Sequence, residues 1–437
     1  MSDVVSTDTR AARRTVIVMV LLAFAFHLVL ACTAIALQIE GTSEWADQQE
    51  YHRPAIQVFA EQLPTPSLSD YKSATTPGYH LVMAMLLRAG ASDSALHLLN
   101  ALFGGACVAM FTLLIARRTS GAVALAAGCV LGASPYVLSS SVWLTTDNLA
   151  MIPLLAGLAA ALTIADGSTR SLSRSVLVSA LWACAATAIR QILVYTAAFA
   201  AAAVVARACA TRSRPKVSDL VLAALALLPA CILVGIFVVL WGGLVPPSFR
   251  TYHGTGANPV TPIYVLALVG IWGMASFVAM PGFLRELCSR RIALLAALAC
   301  AIAVTVESSY IVHVRFGGIV WTVASKFPAP FGRSIVIVPL AAVGAAAIGA
   351  YLRLWSRSSD SAGRGVGACA LFVLVGMTLA QTANQQCFER YLQPMVFMLC
   401  ALASVAIAGR SMRTWPLWSA AVVSVGLSAW NVFRIGN

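Results

Sequence analysis

Long apolar runs separated by short polar segments make up most of this 437-residue chain. A membrane-spanning α-helix needs roughly 20 apolar residues. Most of the apolar runs here are close to that length, and they are continuous rather than alternating with polar residues as in a β-strand. The chain therefore predicts an all-α polytopic membrane protein with about thirteen transmembrane helices. The predicted spans cover residues 15–38, 95–116, 120–139, 147–165, 175–190, 192–208, 217–241, 262–281, 292–312, 334–354, 366–383, 391–408 and 415–433.

One further apolar run, G-Y-H-L-V-M-A-M-L-L-R-A at residues 78–89, is too short to span and fits a helix lying in the outer interface. With this assignment the basic loops fall on alternate sides, and the N-terminus lies inside the cell. The predicted cytoplasmic clusters are Arg10/Arg13/Arg14, Arg117/Arg118, Arg170/Arg174, Arg207/Arg212/Arg214/Lys216, Arg285/Arg290/Arg291, Arg353/Arg357/Arg364 and Arg410/Arg413. Residues 40–92 then form the first external loop, with interfacial helices.

Composition supports this organisation, because the chain is 60% hydrophobic and only 10% charged. The formal net charge of +13 follows from the cytoplasmic arginines, so it does not indicate a nucleic-acid partner. We predict one transmembrane domain over residues 1–437, located in the cytoplasmic (inner) membrane.

Carboxylates are concentrated in the first external loop, in the stretch S-E-W-A-D-Q-Q-E-Y-H-R. On a helix, Glu44, Asp47 and Glu50 would step by three residues and share one face. A solvated loop helix is the simple interpretation of such a triplet. The apolar segments on both sides instead predict that these acids are held at the membrane surface, where they are candidates for a general base.

Other polar residues recur at the predicted outer ends of later segments. Each has a structural alternative, since an aspartate before an apolar run is a common helix cap and an arginine at a helix end can snorkel. The functional interpretation is contact with a sugar, an anionic headgroup or a phosphate. The candidate substrate-binding residues are His52, His80, Asp147, Arg190, Gln191, Arg250, His253, Glu389, Arg390 and Tyr391.

Two polar residues lie within predicted spans. His27, among Phe and Leu, is predicted to be a hydrogen-bonded core residue, whereas Glu307 is predicted to face a cavity near Tyr310 and His313.

Acids, separated arginines and apolar walls at one membrane face suit the transfer of a sugar from a polyprenyl phosphate. The lipid tail would lie in the bilayer and the anomeric carbon at the outer surface. A carboxylate would take the proton of the acceptor hydroxyl, and cations would hold the phosphate leaving group. An inverting displacement requires one such base.

The same stretches resemble the GT-C superfamily of membrane glycosyltransferases. Within it, the chain looks most like the dolichyl-phosphate-glucose-dependent α-1,2-glucosyltransferase family that completes the dolichol-linked oligosaccharide, or a prokaryotic relative. W-A-D-Q-Q-E-Y-H-R-P and T-T-P-G-Y resemble that family's "DE…H.P" and "TPPGLY" stretches. Arg190 and Gln191 match its "RQTN", W-G-G-L-V-P-P lies near its "NGG" loop, and F-E-R-Y-L-Q-P lies near its "EPRYY..P".

The resemblance implies a polyprenyl-phosphate-linked monosaccharide donor, inverting transfer and a base in the first external loop. Asp47 is the first candidate for the base, followed by Glu50 or Glu44. After Gly243 the family's Gly-Asp-Lys is absent, which leaves the sugar and the acceptor open.

The remaining candidates divide between the sugar and the phosphate. Asp147 and His52 would position a sugar, while Arg190, Arg250 and Arg390 would contact phosphate. Arginines alone can stabilise a single leaving phosphate, so no metal is required, although Mg²⁺ or Mn²⁺ between the two aspartates would suit oxygen ligands.

A secondary transporter or a membrane acyltransferase is the alternative function. A transporter would gather its polar residues near the bilayer midplane on broken helices, whereas the acids here gather at one surface. The expected partners are the lipid-linked donor, a glycan, lipid or protein acceptor, and the bilayer.

Overall fold

The computed structural model describes residues 3–40, 42–251, 256–309 and 316–433. Helices make up most of this part of the chain, and the predicted all-α polytopic membrane fold is confirmed. Ten of these helices are long and apolar enough to cross a membrane, and one bent pair of helices could form an eleventh span.

The N-terminal half contains the first loop and the helices that surround it. In order, it has α1 (Asp3–Ala36), α2 (Ser43–Asp47), a π-helical turn (Gln48–His52), α3 (Arg53–Gln62), α4 (Gly78–Arg88), α5 (Asp93–Ala116), α6 (Gly121–Gly132), α7 (Pro135–Val142), α8 (Asp147–Ala165), α9 (Leu172–Ile189), a 3-10 helix (Gln191–Ala198) and α10 (Phe199–Thr211).

The described residues of the C-terminal half are also mainly helical, with one short strand pair. It has α11 (Val217–Leu225), α12 (Leu228–Trp241), a 3-10 turn (Pro247–Phe249), α13 (Val260–Leu268), a π-helical turn (Val269–Gly273), α14 (Met274–Val278), α15 (Phe283–Leu287), α16 (Arg290–Val304), β1 (Phe316–Gly317), α17 (Ile319–Ala324), a 3-10 turn (Pro330–Gly332), α18 (Ile337–Arg357), α19 (Ser361–Thr382), β2 (Cys387–Phe388), α20 (Glu389–Ala408), a 3-10 turn (Gly409–Ser411) and α21 (Trp415–Asn431).

Three predicted spans differ from ordinary crossing helices. The span predicted at 120–139 is the pair α6 and α7, bent by 60° just before Pro135, where proline cannot continue the backbone hydrogen bonds of a helix. Helices α16 and α21 have 15 and 17 residues, fewer than the ten longer spans. The helix count of thirteen is therefore not reproduced by length.

Glu307 lies beyond the end of α16, and the prediction that it faces a cavity inside a span is wrong. Its carboxylate is half-exposed and lies 3.9 Å from Arg333 Nη1, because the helix ends at Val304 and the chain turns away. Tyr310 and His313, its expected neighbours, lie outside the described residues.

One buried hydrophobic cluster runs through the bundle from Ala23 of α1 to Ala421 of α21. Helix α20 is the most enclosed of the long apolar helices, whereas α1 and α12 turn many apolar side chains outward, as lipid-facing helices do. His27 is confirmed as a core residue: it is buried, with Nδ1 2.7 Å from the Gly132 carbonyl and Nε2 2.8 Å from Ser141 Oγ.

The first loop folds back over one end of the bundle. Trp241 Nε1 donates to the Leu68 carbonyl (2.7 Å), and Thr76 Oγ1 donates to the Thr187 carbonyl (2.7 Å). At the same end, β1 and β2 form a parallel ladder in which Phe316 pairs with Cys387. The division into one domain of residues 1–437 with a loop of residues 40–92 stays a prediction.

Candidate functional site

A cavity of about 840 Å³ lies at the bundle end that the first loop covers. Its walls come from five separated parts of the chain: the first loop, the start of α8, the break after α9, α12 with the segment that follows it, and the stretch from the end of α19 to the start of α20. Eight of the predicted site residues line it, namely Asp47, His52, Asp147, Arg190, Gln191, Arg250, Arg390 and Tyr391. Their association stems from the fold, because they are scattered along the sequence.

Asp47 forms an ion pair with Arg390 across the cavity. The distance from Arg390 Nη1 to Asp47 Oδ2 is 2.5 Å, and the two side chains are 19% and 26% exposed. Asp47 is the last residue of α2, and the π-helical turn that follows widens the helix at this point. The predicted base is therefore accessible from the cavity while one of its oxygens already accepts a hydrogen bond.

Asp147 forms a second ion pair, with Arg190. Arg190 ends α9 in an extended conformation (φ −146°, ψ 114°), which breaks the helix and directs the chain into the following 3-10 helix. Asp147 is the first residue of α8, and its side chain does not cap that helix. The structure thus supports ion pairing for Asp147 in place of the helix-cap alternative.

Tyr391 lies between the two arginines. The guanidinium carbons of Arg190 and Arg390 lie 4.3 and 5.0 Å from the centroid of its ring, within the range of cation–π contact. Its hydroxyl also accepts a hydrogen bond from Arg390 Nη2 at 3.0 Å. One aromatic ring therefore holds two cations at the same wall of the cavity.

His52 lines the cavity and His80 supports it from behind. The rings stack 5.2 Å apart, and His52 Nδ1 lies 2.9 Å from His80 Nε2. Burial, together with the positive charges of Arg390 and Arg190, lowers the pKa of His52 to about 3. Burial also lowers the pKa of His80 well below its usual value, with a further contribution from His52. Both imidazoles are therefore neutral at pH 7.

Gln191 connects three segments that border the cavity. Its Nε2 donates to the carbonyls of Ala74 (2.6 Å) and Leu244 (2.9 Å), and its Oε1 accepts from Thr76 N (3.0 Å). With its amide engaged by the backbone, Gln191 is placed to hold the first loop against the bundle.

Arg250 is exposed and reaches the cavity over a glycine turn. Gly242 has φ +66°, in the left-handed region, and a Cβ added there would lie 2.8 Å from Arg250 Nη2. The flexible guanidinium could move away from such a Cβ, so the left-handed backbone is the main reason that glycine suits this position in W-G-G.

Four other candidates do not line the cavity. Glu44 is buried and accepts a hydrogen bond from Ser43 Oγ (2.9 Å), while Glu50 is exposed. Glu389 is fully buried, where its Oε2 accepts from Tyr264 Oη and Val320 N at 2.8 Å each. The fourth is His80, which contacts the cavity-lining His52 but does not itself line the cavity. His253 lies outside the described residues.

The two aspartates do not fit a divalent cation in this arrangement. Each already contacts an arginine, whose positive charge opposes a second cation. Among the described residues, no group of three or more His, Cys, Asp or Glu side chains could hold a metal ion. Binding of Mg²⁺ or Mn²⁺ between Asp47 and Asp147 stays a prediction.

Several residues in or next to the cavity were not among the candidates selected from the sequence. Tyr51 and Phe249 form an edge-to-face pair with ring centroids 5.1 Å apart at the cavity wall. Gln48, which follows Asp47 in the chain, is buried outside the cavity lining and accepts a hydrogen bond from Leu144 N (2.7 Å), which fixes the first loop to the turn before α8. Proximity to Asp47 in the sequence could have pointed to Gln48 and Tyr51, but nothing marks Phe249.

Comparisons with known proteins are sparse. No protein-family model matches the chain. No curated protein matches it. One similar solved structure is the crystal structure of ArnT from Cupriavidus metallidurans bound to undecaprenyl phosphate, with 14% sequence identity, a TM-score of 0.38, and coverage of 92% of this chain and 77% of that chain. A TM-score of 0.38 is too low to assign a function to this chain, whose own residues are the basis for its proposed function.

Proposed function

We propose that the chain is a GT-C-type membrane glycosyltransferase, which moves a monosaccharide from a polyprenyl-phosphate-linked donor to a glycan, lipid or protein acceptor at the non-cytoplasmic face. The meeting of Asp47 with Arg190 and Arg390 in one large cavity carries this proposal. Each stretch that resembles the α-1,2-glucosyltransferase family also contributes a residue to that cavity, which supports the relationship.

In the proposed reaction, the acceptor hydroxyl oxygen attacks the anomeric carbon and forms the new glycosidic bond. The bond between that carbon and the donor phosphate oxygen breaks, and polyprenyl phosphate leaves with the electron pair. Asp47 takes the hydroxyl proton and later passes it to water. Attack from the face opposite the phosphate inverts the configuration.

Asp47 is favoured over the other two acids by its position. It lines the cavity, whereas Glu50 points to solvent and Glu44 is buried against Ser43. Asp147 and His52 line the same cavity and are placed to orient a sugar.

The arginines would stabilise the leaving phosphate. Three arginines and two carboxylates leave one net positive charge on the cavity wall, since His52 is neutral. In a site shielded from water, such fixed cations stabilise a developing negative charge far better than they would in bulk solvent.

The apolar side of the cavity would accept the isoprenoid chain. Ile192, Val194, Val234 and Ala380 contribute apolar lining to the cavity, and α12, which carries Val234, exposes further apolar side chains. We propose a hexose as the first donor sugar to test, in line with the family resemblance. We further propose that the cavity faces away from the cytoplasm of a cell whose inner membrane holds the protein.

The Asp47→Asn variant tests this function. Purified protein in liposomes is supplied with a polyprenyl-phosphate hexose and an acceptor extract, and release of polyprenyl phosphate is measured. Loss of a general base should reduce turnover by roughly 10²- to 10⁴-fold. Asp93→Asn is the matched control, because Asp93 is an exposed aspartate paired with Arg53 away from the cavity.

Turnover of Asp47→Asn close to that of the wild type would remove Asp47 from the mechanism. If wild-type protein releases no polyprenyl phosphate but catalyses counterflow uptake into vesicles, the transporter alternative replaces the transferase.

A further inference from the structure

Both arginines that the proposed reaction needs for phosphate are already paired with a carboxylate of the same cavity. Arg390 contacts Asp47, and Arg190 contacts Asp147. An incoming phosphate oxygen would compete with these carboxylate oxygens, because both are anions that prefer the same guanidinium donors.

These ion pairs leave part of each guanidinium group available for a further hydrogen bond. The Nε atoms of Arg190 and Arg390 are buried and have no hydrogen-bond partner among the described residues. The two guanidinium groups also face one Tyr391 ring, so two like charges are held near each other in a largely enclosed place. An anion that contacts both guanidinium groups would offset that repulsion.

Resting on the proposed function, we propose that Asp47 and Asp147 are competing counter-ions, which a substrate phosphate displaces from Arg390 and Arg190. When the phosphate binds Arg390, it releases Asp47 Oδ2 from the ion pair. Binding of the donor therefore also makes the carboxylate available as a base. The carboxylates consequently weaken phosphate binding, which is opposite to the effect of residues that merely orient the arginines.

Binding measurements on four proteins test this competition. Wild type, Asp47→Asn, Asp147→Asn and Asp166→Asn are titrated with farnesyl phosphate, farnesol and inorganic phosphate, and dissociation constants are determined by calorimetry. Asp166 is the matched control, because it pairs with Arg118 at 2.6 Å with similar burial (14% and 21% exposed) but does not line the cavity.

We expect Asp47→Asn and Asp147→Asn to bind farnesyl phosphate on the order of fivefold more tightly than wild type. Farnesol binding should stay the same, and Asp166→Asn should match wild type. Inorganic phosphate should show the same direction of change if the headgroup alone is recognised.

Equal or weaker binding of farnesyl phosphate by the folded variants overturns the proposal, since the carboxylates would then only position the arginines. Either aspartate variant suffices for this test if the other does not fold. Tighter binding by these variants, together with failure of the wild type to transfer any lipid-linked sugar, would reject the proposed transferase and leave the competition standing.

Discussion

Asp47 and Asp147 differ in their local backbone although each contacts an arginine. Asp147 begins α8, where the positive end of the helix dipole favours a carboxylate, and it lies beside Asn148, which is itself buried and hydrogen-bonded to Val137 and Ser141. Asp47 ends a five-residue helix at a π-helical turn, and its side chain is 26% exposed, against 17% for Asp147. We therefore expect Asp47 to be the less firmly held of the two carboxylates.

Acid should destabilise the first loop through its paired histidines. The pKa of His52 is about 3 in the folded chain and near 6.5 when unfolded, so between these values the unfolded state binds more protons. The free energy of unfolding should therefore fall as pH drops below about 6.5, by up to about 1.4 kcal/mol per pH unit for each proton taken up.

Thermal midpoints in detergent at pH 7, 6 and 5 check this. His80→Gln keeps a hydrogen-bonding group near His52 but cannot take up the second proton, so its midpoint should fall less steeply with acid. Identical slopes for this variant and wild type would remove His80 from the pH response.

The acid triplet shows what residue spacing could and could not predict. Spacing by three residues correctly indicated a helix, but it assumed uniform α geometry through Glu50. Glu44 and Asp47 lie in α2 and Glu50 lies in the π-helical turn that follows, and the three carboxylates take a buried, a cavity-facing and an exposed position. No simple sequence signal marks such a turn, since it depends on how the loop packs against Leu144 and Arg390.

At the scale of elements, α4 lies against the C-terminal end of α9 through a glycine. A Cβ added at Gly78 would come within 2.5 Å of the Ala188 carbonyl oxygen, which belongs to a backbone that cannot yield easily. This close approach lets Thr76 and Gln191 complete the hydrogen bonds that hold the first loop.

Gly78→Ala should therefore lower the stability of the protein by about 1–3 kcal/mol and expose the first loop to limited proteolysis. Gly376→Ala in α19 is the control, because nothing lies within 4 Å of its added methyl group. The control should be neutral or slightly stabilised. Equal protease sensitivity of the two variants would show that α4 tolerates displacement from α9.

The order of elements was more predictable than their breaks. Apolar run lengths located the ten longer spans, since a helix in lipid must satisfy its own backbone, but they overestimated α16 and missed the bend in the span predicted at 120–139. Pro135 marks the break between α6 and α7 in the sequence, but the 60° bend and the 3-10 helix after Arg190 are accompanied by tertiary contacts: Asn148 with Val137, and Gln191 with the first loop. Those contacts join residues whose relative rotation a single sequence does not specify.

At the scale of the whole molecule, the ion pairs divide between two ends of the bundle. Arg118 with Asp166 and Arg357 with Glu286 lie at the end predicted to be cytoplasmic, and the cavity lies at the other. Charge alternation could predict the two sides but not which residues meet, since Asp47 and Arg390 are 343 positions apart.

A topology reporter tests the sidedness. Alkaline phosphatase fused after residue 70 should be active, and the same enzyme fused after residue 168 should be inactive, because it folds productively only outside the cytoplasm. Fluorescent-protein fusions at the two positions provide the complementary control. Cytoplasmic signal at residue 70 would place the cavity on the opposite membrane face.

The parallel pairing of β1 with β2 has a consequence for loop length. Its register places Phe388 opposite Gly317, and Glu389 follows at once in the pocket formed by Tyr264 and Val320. The preceding connection, with Asn384 and Gln386 at the cavity wall, consequently has both ends anchored. Insertions or deletions there would strain or bulge a connection whose two ends are fixed, so related chains that share this chemistry should conserve the length of the connection more strictly than its composition.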